Sequence, residues 1–84
     1  MNRLNLDDIL SIKEIAFICR YKLGSKLSEA TIKQYIYKLI KNNDICAIEK
    51  DNQSFIKLAD FMEFLSHNYS KLGFNYNPTI KELP

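Results

Sequence analysis

The chain has 84 residues, 46% of them hydrophobic and 26% charged, with a net charge of +2, a balance that fits one small folded domain and excludes a disordered segment. Its uncharged apolar runs are too short to span a bilayer and the opening MNRLNLDD lacks the apolar centre of a signal peptide, so a cytoplasmic protein with no membrane partner is expected. One histidine, no glycine-rich phosphate loop and no Ser-His-Asp set argue against an enzyme, a cofactor or a small-molecule substrate.

The charge is unevenly spread. From Arg20 to Lys41 six basic residues stand against one acid, a net of +5, while the segments before and after net −1 and −2. A basic centre between mildly acidic flanks points to one face turned towards a polyanion. Cys19 and Cys46, in the apolar settings FICRY and DICAI, have no metal-ligand spacing and are expected to be reduced, buried thiols.

Taken in order, residues 1–9 form a short lead in which Leu4, Leu6 and Ile9 add an edge strand or lie against the core. Ser11, followed three residues later by Glu14, is a capping box, with Leu10 and Ile15 as its hydrophobic staple. It predicts a helix from Ile12 to about Lys22, with Ile12, Ile15, Ala16, Ile18 and Cys19 inward and Gly24 as the stop. A short connection then leads to a central helix over 28–43, capped by Ser28. Ile32, Tyr35, Ile36, Leu39 and Ile40 share its apolar side, and Lys33, Gln34, Tyr37, Lys38 and Lys41 its polar side.

After Asn43 the period changes. Ile45 to Lys50 and Phe55 to Leu58, separated by Asp51, Asn52, Gln53 and Ser54, predict a hairpin leaning on the helices through Ile45, Ala47 and Ile56 or Leu58. Asp60 and Glu63 read as a second capping arrangement, opening a helix from Phe61 to about Leu72 that Gly73 closes. Residues 74–84, with Pro78 and Pro84, form an extended tail whose Phe74, Tyr76 and Ile80 pack back or meet a partner. The expected architecture is α+β, mostly α: a winged helix-turn-helix of three helices and a two-stranded hairpin wing over residues 1–73.

This order of elements resembles the excisionase-type, MerR-like DNA-binding domains. Leu10, Ser11, Ile12, Lys13, Glu14, Ile15 and Ala16 match that family's opening motif, Ser28, Thr31, Ile32 and Ile36 the start of its recognition helix, and Phe55, Ile56, Asp60, Phe61, Phe64 and Leu65 the exit from its wing. The resemblance implies non-catalytic binding of double-stranded DNA in transcription regulation or in site-specific recombination on mobile elements. Its implied partners are a second copy, a recombinase or a polymerase. The chain departs from the family in a longer connection between the paired helices and in a wing where Lys50 alone is basic.

In that reading the central helix enters the major groove. Thr31 would meet a thymine methyl, Gln34 an adenine and Lys33 a guanine. Tyr37, Lys38 and Lys41, with Arg20, Lys22 and Lys26 around the turn and Lys50 in the wing, would hold phosphates. The competing reading is a winged-helix protein-interaction module using the tail and an aromatic surface of Tyr35, Tyr37, Phe61, Phe64, Tyr69, Phe74 and Tyr76.

Overall fold

The structure is a computed structural model in which residues 4–78 are described. Their fold is α+β, with three helices, α1 (Ile12–Phe17), α2 (Glu29–Lys41) and α3 (Leu58–Asn68), and three strands, β1 (Ile9–Ser11), β2 (Ile48–Lys50) and β3 (Gln53–Lys57). The strands make one antiparallel sheet in the order β1-β3-β2. The expected two-stranded hairpin is therefore corrected to a three-stranded sheet: residues just before α1 pair with β3, aligning Leu10 with Ile56. Residues 1–3 and 79–84, the latter holding Ile80 and Pro84 of the expected tail, lie outside the described residues.

The capping box forms as its residues dictate. The Glu14 N–H donates to Ser11 Oγ at 3.2 Å, and the Ser11 N–H donates to Glu14 Oε1 at 2.9 Å. The helix it opens keeps α geometry only to Phe17, and Ile18–Lys22 is a π-helical turn in which the Leu23 N–H reaches back to the Ile18 carbonyl at 2.9 Å. Gly24 follows with φ +82°, the left-handed conformation expected of the stop.

The α1–α2 connection is held by Ser25, which is 1% exposed. Its Oγ donates to the Leu72 carbonyl and accepts from the Leu27 N–H, and its own N–H donates to the Cys19 carbonyl at 2.8 Å. A buried hydroxyl bonded on both sides costs little to bury and ties the connection to the end of the third helix. Gly73, at φ +84°, packs directly against it, and the Lys26 N–H donates to the Gly73 carbonyl at 3.0 Å.

At its far end α2 closes through Asn43 in the left-handed conformation (φ 62°), with the Asp44 N–H donating to the Leu39 carbonyl at 2.9 Å. That is a Schellman closure built on asparagine. Between β2 and β3, Asp51 and Asn52 both have positive φ (52° and 65°) while Lys50 pairs with Gln53, so the connection is a two-residue primed turn, tighter than the four-residue one expected.

The third helix begins at Leu58, earlier than expected, and Asp60 does not cap it. Its first donors are satisfied by main chain: the Leu58 N–H donates to the Asp8 carbonyl at 2.8 Å and the Ala59 N–H to the Leu6 carbonyl at 2.9 Å. The lead is shaped for this by its own turn, in which Asn5 Oδ1 accepts from the Asp7 N–H and Asp8 Oδ2 from the Asn5 N–H, both at 2.9 Å. Tyr69–Leu72 continues as a 3₁₀ turn ending at Gly73.

One core joins the three helices with β1 and β3, while β2 is exposed along its length. Ile15, Ala16 and Cys19 face Ile32 and Ile36 between the paired helices, and Ile56, Phe61, Leu65 and Leu72 complete it from the sheet and α3. Phe74, beyond Gly73, belongs to this core at 5% exposure. Cys19 is buried as expected, whereas Cys46 is exposed, because it lies between the closure of α2 and the first paired residue of β2, where its neighbour Ile45 turns inward instead.

Candidate nucleic-acid interface

The clearest candidate surface is the side of α2 that the core leaves uncovered. At about 100° per residue, the buried Ile32, Ile36 and Leu39 define one side of the helix. Gln34, Tyr37, Lys38 and Lys41 lie opposite, all exposed, with the exposed Thr31 at their edge on the flank next to Lys38. Lys33 is set apart: it sits on the flank shared with Ile40 and is only partly exposed.

Three of these side chains also serve the helix itself. The Ser28 hydroxyl accepts from the Thr31 N–H at 3.2 Å and bonds the Thr31 hydroxyl at 3.0 Å, so Thr31 completes the N-cap. Lys38 and Lys41 occupy the last turn, where positive charge complements the exposed carbonyl ends, as Glu29 does for the first turn.

Tyr37, 53% exposed, lines a shallow cleft with Ser11, Ile12 and Lys13 from the cap and first turn of α1, Asn52 from the β2–β3 turn, and Gln53 and Ser54 from the start of β3. The tip of the hairpin and the C-terminal half of α2 thus share one side of the molecule. Lys13, which the sequence reading names only within the opening motif Leu10–Ala16, is an exposed basic residue on this side. The signal available was its position between Ser11 and Glu14, where an inward side chain is not required.

The other basic residues are dispersed. Arg20 donates from Nη1 to the Ser25 carbonyl at 2.7 Å and lies over the Tyr21 ring at 5.9 Å, so it braces the connection while staying exposed. Lys26 donates to Asn75 Oδ1 at 3.2 Å, Lys22 is exposed at the end of the π-helical turn, and Lys50 lies with Ile9, Ile48 and Phe55 on the outer face of the sheet. The aromatic surface of the competing reading is broken up, since Phe61 and Phe74 are in the core and only Tyr37 and Tyr76 of that set are well exposed.

Titratable chemistry is sparse. Burial pushes the Cys19 thiol from 9.0 up to about 12, which keeps it protonated and unreactive at neutral pH. Among the described residues, no group of three or more His, Cys, Asp or Glu is arranged to hold a metal ion, and no helix is long and apolar enough to cross a membrane. Comparison with protein-family models, curated proteins and solved structures finds no significant match to this chain.

Proposed function

We propose that the chain is a non-catalytic, double-stranded DNA-binding protein of winged helix-turn-helix type, related in design to excisionase-type and MerR-like domains and acting in recombination or transcription control. The observation that carries this reading is the uncovered side of α2, where Gln34, Lys38 and Lys41 stand together opposite the core with Thr31 at their edge. A helix of 13 residues is about 20 Å long, and a B-form major groove about 12 Å wide admits it. Gln34 and Thr31 are the base-reading residues of this proposal; Lys38, Lys41 and Tyr37 hold phosphates, with Lys13 and the hairpin tip alongside. Lys33, on the half-covered flank, contributes charge more than base contact.

The test is a titration of random-sequence duplex DNA over a range of salt. Binding should weaken steeply with salt, and Lys38→Ala combined with Lys41→Ala should lower the logarithmic salt slope by about two, one per phosphate contact. Weak binding that does not respond to salt would remove the proposal.

A further inference from the structure

Away from the uncovered side of α2, the outer side of the first helix carries an aromatic pair that the duplex reading does not use. Phe17 and Tyr21 have ring centroids 5.0 Å apart at 45°, yet remain 46% and 61% exposed. The Arg20 guanidinium lies 5.9 Å from the Tyr21 ring centre and is held by the Ser25 carbonyl. With one N–H engaged there, most of its donors stay free. The pair straddles the junction where α geometry gives way to the π-helical turn Ile18–Lys22, a local distortion that proteins tend to keep where function uses it. Lys13, one turn before Phe17 on the same ridge, also lines the cleft with Tyr37. The ridge therefore starts at the proposed duplex face and runs away from it.

From this juxtaposition we infer that Phe17, Tyr21 and Arg20 form a binding site for single-stranded nucleic acid, in which unpaired bases stack on the two rings and the backbone phosphates meet Arg20, Lys13 and Lys22. Stacking on an exposed aromatic is open to every base, because each base has a π face, and a fixed guanidinium beside a ring adds cation–π and phosphate contacts to the same site. A protein interface is the poorer match for the surroundings: the rings are bordered by Lys13, Glu14, Arg20 and Lys22, all exposed, where an interface core would be depleted of charge. The inference shares only Lys13 with the proposed duplex face and stands on the two rings, which take no part in it.

The probe is a dye-labelled oligothymidylate of about twelve nucleotides, followed by fluorescence anisotropy at low salt. The wild-type chain should bind it, and Phe17→Leu and Tyr21→Leu should each weaken binding about tenfold, because leucine keeps the apolar bulk but has no ring to stack. Tyr21→Trp should bind at least as well as wild type, which a merely structural role for Tyr21 would not produce. Duplex binding by the leucine variants should be unchanged, whereas Lys38→Ala with Lys41→Ala should reduce duplex binding and leave the Leu-sensitive binding of the oligonucleotide in place. No binding of the oligothymidylate by the wild type would overturn the inference. So would leucine variants that bind it as well as wild type, the outcome of a patch that docks protein.

Discussion

Gly73→Ala, compared with Gly24→Ala, isolates the packing at the centre of this fold. Both glycines are left-handed, at φ +84° and +82°, so alanine meets the same backbone penalty at either position, about 1 kcal/mol. At Gly24 a Cβ would have nothing within 4 Å. At Gly73 it would sit 2.8 Å from Ser25 Oγ, 2.9 Å from Leu27 Cγ and 3.1 Å from the Leu27 nitrogen. The leucine branch can rotate away, but Ser25 Oγ is bonded on both sides and the nitrogen is main chain. Relief therefore requires losing a buried hydrogen bond, about 1–3 kcal/mol more. Gly73→Ala should then cost about 2–4 kcal/mol against about 1 kcal/mol for Gly24→Ala. By far-UV circular dichroism melting, each kcal/mol at this chain length is worth about 4–8 °C. Two variants that melt together would refute the reasoning.

Ser11→Ala removes the acceptor for the Glu14 N–H and should cost about 1 kcal/mol in a urea titration. Phe74→Ala empties a core position and should cost about 3–5 kcal/mol, while Tyr76→Ala, at a residue 58% exposed, should change the unfolding midpoint little. A thiol reagent should label Cys46 in the folded protein and Cys19 only after unfolding, which mass spectrometry of the two peptides resolves. Because the fold raises the Cys19 pKa from 9.0 to about 12, its contribution to stability is complete below pH 9.0 and lost between there and about pH 12. The slope is at most about 1.4 kcal/mol per pH unit, and Cys19→Ala should flatten that part of the profile.

The helices that position the candidate surface were legible because their signals are local. Ser11 with Glu14, Ser28 ahead of an apolar stripe, and Gly24, Asn43 and Gly73 at left-handed positions each act within one or two turns of chain. What stayed hidden depends on partners distant in sequence. An edge strand is one of two readings of the lead, but its span Ile9–Ser11 and the pairing of Leu10 with Ile56 involve residues too few to show a period of two. Asp60 resembled a cap because the carbonyls that cap the helix belong to Leu6 and Asp8, about fifty residues earlier and carrying no side-chain signature. On the surface, the polar side with Gln34, Tyr37, Lys38 and Lys41 followed from helical period alone, whereas the half-covered state of Lys33, the bracing of Arg20 and the proximity of Lys13 to Tyr37 required the packed structure.

The two carbonyls that receive the first N–H groups of α3 set an unusual rule for how this protein can vary. Every residue type has a carbonyl, so exchanging Leu6 for another amino acid leaves its acceptor in position, whereas Asp8 also supplies the carboxylate oxygen that accepts from the Asn5 N–H and shapes the turn. Removing or adding a single residue between Leu6 and Ile9 shifts both acceptors by one and flips the side chains of the neighbouring strand to the opposite face. Relatives of this chain should therefore drift in the identity of Leu6, keep a carboxylate or another short acceptor at Asp8, and hold the number of residues here fixed.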